Sequence, residues 1–228
     1  MTEIWHGLIK AIELIVTLDP EVMEIAGRSL RISVTATLLA AVICFPLGSL
    51  IHFNRFIGKR TLINLIQTFY SIPTVVVGLF VFLLFSRAGP MGGLNLLFTP
   101  TVMIIGQALL IAPVLLGLTV SALSGVDKAI PETARSLGAS DFQTVVLVLK
   151  EARFAVMAAI LLAFGRAISE VGLALMVGGN IRGFTRVFTT AISLETSKGD
   201  IELAIALGII LILIALIINI VLNRLQQR

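Results

Sequence analysis

The sequence predicts an all-α integral membrane protein with five transmembrane helices and an N-terminal interfacial helix. Three observations indicate this: 57% of the 228 residues are hydrophobic, the mean hydropathy is +1.06, and only 13% of the residues are charged. Soluble domains carry roughly 25% charged residues. The apolar residues also form long blocks rather than a two-sided pattern, which excludes a soluble globular protein.

The first segment, residues 1–20, is predicted to be the interfacial helix. Its apolar residues recur at helical spacing, but Lys10 and Glu13 interrupt them, and the segment is too short to cross a bilayer. Asp19 followed by Pro20 marks its end. No basic region precedes a long apolar stretch here, so we do not expect a cleaved signal peptide.

The transmembrane domain is predicted over residues 27–223. Residues 32–51, in the first span, are 20 residues without a charge, and as a helix they measure about 30 Å, enough to cross a hydrocarbon core. Pro46, Pro73 and Pro113 predict bends within the first three spans. The five predicted spans are residues 28–53, 61–86, 99–124, 154–178 and 201–223.

The basic residues give a weak indication of orientation. With five spans, nine Lys and Arg residues fall on the side of the C-terminus, seven fall on the other side, and Arg166 lies inside a span. Cytoplasmic loops are enriched in Lys and Arg, so we expect the N-terminus outside and the C-terminus in the cytoplasm. The basic residues are scattered and form no run, which argues against nucleic acid as a partner.

The segment between the third and fourth spans predicts two short helices joined by a tight turn. Pro131 suits the first position of a helix, and Glu132 in the first turn complements the helix dipole. Gly138 is placed to end this helix in the left-handed conformation. Ser140 and Gln143 have the spacing of a capping box that starts a second helix. A partner-docking knob and an ordinary hairpin between spans both fit this pattern.

Residues 127–150 resemble the EAA loop of ABC-importer permeases, in which Glu-Ala-Ala is followed after three residues by Gly. Here Glu132, Thr133 and Ala134 precede Gly138 at that spacing. The family's loop usually closes on Ile-x-Leu-Pro, and this chain lacks the proline. The resemblance implies that these four residues belong to a cytoplasmic coupling helix that docks on an ATPase subunit.

Three further stretches are similar to the tungstate-type branch of these permeases. They are residues 73–78 with residues 86–90, residues 165–172, and residues 194–200. The middle stretch is shared in looser form with molybdate and sulfate permeases. The resemblance implies an oxyanion importer that works by alternating access, with tungstate as the first choice of cargo and molybdate or sulfate as the alternatives.

The family also implies an assembly. It consists of a homodimer of permeases in the bacterial inner membrane, two ABC ATPase subunits that bind ATP and Mg, and an oxyanion-binding protein outside. No cofactor or metal is expected in this chain, whose single cysteine is Cys44. The sequence has no Gly-x-x-x-x-Gly-Lys-Ser/Thr phosphate loop, so we do not expect an enzyme.

Two other classes of protein compete with this interpretation. A stand-alone channel or secondary carrier predicts transport without ATP and needs no docking knob. A membrane enzyme would need clustered Asp, His or Ser-Lys groups at membrane depth, and neither His6 nor His52 lies in such a cluster. Both classes fit the sequence less well than the permease.

Charged residues in and beside the fourth span are the remaining site candidates. Arg166 and Glu170 lie one turn apart near Ser169, and charges at membrane depth face a protein interior or a cavity. We expect these three residues to form either a translocation gate or, more simply, an ion-paired packing contact. Arg182 and Arg186 lie in the next outer loop, where they are candidates for contact with an anion or a binding protein.

Overall fold

The computed structural model describes residues 2–226 of the chain. These residues form eleven α-helices and two short 3-10 turns, and the described part contains no β-strand. The helices are α1 (Thr2–Val16), α2 (Pro20–Phe53), α3 (Lys59–Thr68), α4 (Thr74–Phe85), α5 (Pro100–Ser124), α6 (Ala129–Ser136), α7 (Asp141–Glu151), α8 (Arg153–Ile168), α9 (Gly172–Gly178), α10 (Phe188–Lys198) and α11 (Ile201–Gln226), with 3-10 turns at Phe69–Ser71 and Gly92–Leu94.

Three helices are each long and apolar enough to cross a membrane. They are α2, α5 and the Ile201–Ile220 part of α11. Two bent helix pairs meet the same criteria when each pair is taken as one span. The chain bends by 97° between α3, with its 3-10 turn, and α4, and by 59° between α8 and α9. The described residues therefore contain three to five candidate spans.

The second predicted span, residues 61–86, is not one continuous helix. Pro73 has no N–H to donate, and Ile72 before it is extended, with φ −61° and ψ 131°. A residue that precedes proline is sterically biased toward this conformation, so the helix stops before it and restarts at Thr74. Pro46 and Pro113 by contrast lie inside the uninterrupted helices α2 and α5.

The fourth predicted span, residues 154–178, is also broken. No proline is present, and the break falls at residues 169–171, between α8 and α9. Glu170 caps the restarted helix by accepting a hydrogen bond from the backbone N–H of Leu173 at 2.9 Å. A side-chain cap of this kind stabilises a new helix N-terminus in place of continued helix.

The first long helix starts earlier than predicted. The expected start is residue 28, but α2 begins at Pro20, because Asp19 caps it by accepting a hydrogen bond from the N–H of Val22 at 3.0 Å. Proline at the first helical position and an acidic first turn, here Glu21, are both favourable at a helix N-terminus. The charged first turns of α2 therefore extend beyond its apolar span.

α1 packs against the first half of α11. Gly7 permits close approach, since a β-carbon there would come 2.5 Å from the Ile205 side chain. Ala11 and Leu14 join a buried cluster with Leu207 and other residues of α11. The opposite face of α1 exposes apolar side chains, which include Ile4, Trp5, Ile9 and Ile12.

Small residues bring α2, α5 and α8 together. The buried alanines of this cluster are Ala36, Ala40, Ala41, Ala108, Ala159, Ala163 and Ala167. In a membrane, small side chains let helix backbones approach closely, which favours association through packing. A second cluster joins α4, α5 and α9 around Met103, Leu110 and Leu173. The two broken helices are thus held against the same continuous helix, α5.

Candidate functional site

α6 and α7 form the bent helix pair predicted between the third and fourth spans. α6 starts at Ala129, whose N–H donates to Asp127 Oδ1 at 2.9 Å. Pro131 therefore occupies the third helical position, not the first as predicted. Proline is tolerated there because the N–H groups of the first turn have no partner within the helix. Glu132 lies in the first turn, as predicted.

A Schellman motif around Gly138 ends α6. Gly138 has φ +85°, and its N–H donates to the carbonyl of Arg135 at 3.0 Å. The N–H of Ala139 reaches back to the carbonyl of Ala134, also at 3.0 Å. Glycine is favoured at this position because it adopts the left-handed conformation without steric cost. The predicted left-handed turn is confirmed.

A capping box starts α7. The N–H of Gln143 donates to Ser140 Oγ at 3.3 Å, and the N–H of Ser140 donates to Gln143 Oε1 at 2.8 Å. Both reciprocal bonds of the motif are present, so this prediction is confirmed. The caps on either side of the turn fix the angle between α6 and α7.

The bent pair presents an exposed apolar surface. Leu137 is 84% exposed and Phe142 is 77% exposed, while Glu132, Thr133 and Gly138 are also exposed. Contiguous apolar surface outside a hydrophobic core commonly marks a protein contact. A shallow hollow of about 350 Å³ lies beside it, lined by Ala129, Ile130, Thr133, Ala134, Leu137 and Leu147.

The break between α8 and α9 places Glu170 in a buried junction. Its side chain caps α9 as described, and only 6% of the residue is exposed. Thr189 of α10 donates from Oγ1 to the Glu170 carbonyl at 2.7 Å, and Ser169 donates to the carbonyl of Arg166 at 3.2 Å. The carboxylate and the backbone of Glu170 thus tie α8, α9 and α10 together.

The expected ion pair between Arg166 and Glu170 is not formed. Among the described residues no salt bridge within 4.0 Å involves either side chain. The helix ends at Ile168, so the two residues no longer share one helical face, and Glu170 bonds to the α9 backbone instead. Arg166 Nε is buried with no hydrogen-bond partner in the described part of the chain.

The two restarted helices, α4 and α9, meet at their N-terminal ends. A β-carbon on Gly172 would come 3.1 Å from Val75 Cγ2 and 3.3 Å from Thr74 Oγ1. Further along, a β-carbon on Gly78 would come 3.0 Å from the Cα of Leu173. Glycine at both positions lets the half-helices pack closely beside the buried Glu170.

Arg182 and Arg186 converge on one carboxylate of their own chain. Arg182 Nε donates to Glu21 Oε1 at 3.0 Å, and Arg186 Nη1 donates to the same oxygen at 3.3 Å. The hydrogen bond and the charge of Glu21 raise the pKa of Arg182 above its usual value. Arg182 keeps 72% of its side chain exposed, whereas Arg186 keeps only 14%.

Glu21 and Thr189 contact the predicted site residues but could not be predicted from the sequence. Glu21 precedes Arg182 by 161 residues, and Thr189 follows Glu170 by 19. Neither residue belongs to a motif, and only the folded arrangement brings these pairs together. The described residues also contain no group of three or more His, Cys, Asp and Glu residues placed to hold a metal ion.

Comparison with known proteins identifies the family. Residues 34–228 match the family described as the binding-protein-dependent transport system inner membrane component. The chain belongs to this family. It is therefore a membrane subunit of a transport system and not an enzyme.

Named relatives of this transport subunit cover nearly its whole length. A tungstate uptake system permease protein TupB of Peptoclostridium acidaminophilum is 42% identical over 206 residues, which are 90% of this chain and 90% of that protein. A protein of the same name from Campylobacter jejuni is 38% identical over 203 residues, covering 89% and 85%. Relatives named as sulfate permeases are more distant.

The fold is that of ABC-importer membrane subunits. An inward-facing structure of the MetNI methionine ABC transporter superposes with a TM-score of 0.72 and 19% sequence identity, over 94% of this chain and 97% of that one. At this identity the similarity concerns the fold alone. The bent helix pair α6 and α7 thus belongs to a permease architecture.

Proposed function

We propose that this chain is the permease subunit of an ATP-driven importer whose cargo is tungstate. The observation that carries the transport mechanism is the rigidly capped bend of α6 and α7, which presents exposed apolar side chains outside the bundle. The cargo is supported by relatives named for tungstate uptake at 42% and 38% identity. Molybdate and sulfate are the alternative cargoes.

The bent pair is the proposed ATPase-docking site. Glu132, Thr133, Ala134 and Gly138 lie on or beside its exposed surface, and the Schellman motif and capping box hold its two helices at a fixed angle. A rigid knob of this kind transmits the displacement of a partner instead of absorbing it. The partner ATPase would bind ATP and Mg, because this sequence carries no phosphate loop.

The proposed assembly contains two copies of this chain, two ATPase subunits and an external oxyanion-binding protein. Each copy would contribute five spans, with each bent pair counted as one span, and α1 in the outer interface. We propose the boundaries predicted from the sequence, residues 1–20 for the N-terminal helix and 27–223 for the transmembrane domain, although α2 itself begins at Pro20. The proposed orientation has the N-terminus outside and the C-terminus in the cytoplasm. An exposed apolar face of α4 supports contact with the second copy; it includes Val75, Val76, Leu79, Phe80 and Leu83.

The proposed gate is the junction of α8, α9 and α4. Both half-helices restart at this level, and Ser169 and Glu170 form the link between α8 and α9. Hinges of conformational changes are commonly a few residues at the ends of elements. We assign Arg166, Ser169 and Glu170 to this hinge, and Arg182, the more exposed outer arginine, to contact with the binding protein.

Reconstitution tests the proposed function. The permease is placed in proteoliposomes with its ATPase and binding protein, and uptake of labelled tungstate, molybdate and sulfate is measured. We expect tungstate uptake that requires both ATP and the binding protein, and no uptake with an ATPase whose phosphate loop is inactivated. Uptake by the permease without an ATPase would make the protein a channel or carrier. Faster molybdate uptake would change the cargo but leave the mechanism intact.

A further inference from the structure

A basic cavity lies where the ends of α2 and α5 meet the bent pair. Its volume is about 470 Å³. Four basic side chains line it, and Glu132 is the single acidic residue among the lining. The basic residues are Arg55, Lys59, Lys128 and Arg135. The cavity therefore carries a positive charge at the boundary between apolar helices and polar connections.

Most of this charge is not neutralised within the chain. Among the described residues no carboxylate lies within 4.0 Å of Arg55, Lys59 or Lys128, and Arg135 is 3.9 Å from Asp141. Lys59 is instead fixed by its backbone contacts, since Nζ donates to the carbonyls of His52 at 2.6 Å and Asn54 at 3.2 Å. The cavity thus contains the fixed ammonium group of Lys59 and the side chains of Arg55 and Lys128, and none of these three cations has an acidic partner among the described residues.

Apolar side chains that belong to a buried cluster also line the cavity. Leu123 at the end of α5 and Val148 of α7 line it and are almost fully buried, and Phe53 at the end of α2 packs against them. The side chains of Leu123, Val148 and Phe53 offer no hydrogen-bond donor to a free inorganic anion. A lining that combines basic and apolar side chains instead matches a phospholipid, whose headgroup is anionic and whose acyl chains are apolar.

We propose that this cavity binds the phosphate-containing headgroup of an anionic phospholipid such as phosphatidylglycerol. The ends of α2 and α5 place it at the level where a bilayer's headgroups lie, and cavities of this kind between membrane helices bind acidic lipid headgroups. The bound lipid would link the ends of these two helices to Lys128, which directly precedes α6. Only one part of this proposal depends on the proposed function: the topology given there assigns the cavity to the cytoplasmic leaflet.

Lipid binding to the full-length permease in a neutral detergent tests this proposal. Short-chain phosphatidylglycerol is titrated against wild type and the double variant Arg55→Gln, Lys128→Gln, and bound lipid is counted by native mass spectrometry. Each basic side chain at an anionic membrane surface contributes roughly a five-fold gain in affinity, so we expect the double variant to bind about thirty-fold more weakly. Phosphatidylcholine with the same chains should bind weakly to both proteins.

Matched variants separate the cavity from total charge. Arg60→Gln with Lys150→Gln removes two exposed cations that do not line the cavity, and we expect affinity close to wild type. Arg55→Lys with Lys128→Arg keeps both charges and should also bind normally, which shows that loss of charge causes the effect. The assay needs no ATPase or cargo, so its result is independent of the transport experiment.

Two results would overturn the proposal. One is wild-type affinity for phosphatidylglycerol in the Arg55→Gln, Lys128→Gln protein. The other is competition by free inorganic phosphate or tungstate at the concentration of the lipid, which would assign the cavity to a soluble oxyanion.

Discussion

Glu170 and Leu173 are joined by a hydrogen bond of 2.9 Å from the Leu173 backbone N–H to the Glu170 carboxylate, and this bond marks the point where the fourth candidate span bends. Its location changes the role of the acidic residue. Paired with Arg166, Glu170 would stiffen one straight helix. As the cap of α9 it stabilises a helix break that the proposed gate uses as a hinge.

Two replacements of Glu170 distinguish the effect of its hydrogen bond to α9 from the effect of its charge. We expect Glu170→Ala to destabilise the permease by ~1–2 kcal/mol, because a helix cap is lost in a buried site. Glu170→Gln keeps an oxygen that can accept the hydrogen bond from the Leu173 N–H, so this variant should lose less stability than Glu170→Ala. Thermal unfolding in detergent measures both.

The matched control for this prediction is Glu151→Ala, which removes an exposed acidic residue at the end of α7 and should be neutral. Equal losses of stability in the Gln and Ala variants of Glu170 would contradict the capping role.

ATP-driven uptake by Glu170→Gln should fall without a change in the preference for tungstate over molybdate. An altered preference would place Glu170 in contact with the cargo.

Substitution of Gly78 tests the close packing of the two half-helices. A β-carbon at Gly78 would lie 3.0 Å from the backbone of Leu173, and backbone cannot move aside as a side-chain tip can. We expect Gly78→Ala to destabilise the protein by ~1–3 kcal/mol through overpacking and to slow uptake. Gly165→Ala is the control, since a β-carbon there would have no neighbour within 4 Å beyond the local backbone of its own helix. If both variants unfold at the wild-type temperature, α4 and α9 are not in close contact.

Local motifs allowed part of the site to be predicted from sequence. The turn at Gly138 and the capping box of Ser140 and Gln143 depend only on residues three or four apart, so short-range chemistry determines them. The all-helical fold likewise follows from uninterrupted apolar blocks, because a spanning helix satisfies its own backbone in lipid.

The helix breaks could not be predicted in the same way. Pro73 interrupts a helix, while Pro46 and Pro113 lie inside continuous ones, and the difference depends on neighbouring helices that supply packing. The break at Glu170 needs α4 and α10 to hold it in place. The pairing of Glu21 with two arginines at the other end of the chain equally depends on tertiary structure.

Arg182 and Arg186 should differ in what they contribute to stability and to transport. Arg186 is mostly buried, and its replacement by Gln should cost ~1 kcal/mol of stability, because it loses a hydrogen bond to Glu21 and the packing of its stem. Arg182→Gln should leave the unfolding temperature unchanged, because an exposed ion pair contributes little.

Transport kinetics complete this comparison. If Arg182 contacts the binding protein, Arg182→Gln should raise the KM for the loaded binding protein several-fold with little change in kcat. Lower stability in Arg182→Gln than in Arg186→Gln would reverse the two assignments. The exposed Arg87→Gln variant is the control for loss of an arginine elsewhere in the chain.

Gly138 offers the sharpest test of the bent pair as a docking element. Its φ of +85° makes any side chain strained, so Gly138→Ala should cost ~1 kcal/mol locally and change the angle between α6 and α7. Gly58 has φ +89° with no atom near its β-carbon position, and Gly58→Ala therefore introduces the same strain outside the bent pair. We expect Gly138→Ala, and more strongly Gly138→Trp, to insert normally yet lower the tungstate imported per ATP hydrolysed, while Gly58→Ala keeps the wild-type ratio. Because the two glycines share a backbone conformation and differ in location, equal ratios in all three variants would mean that the bend does not relay ATPase motion.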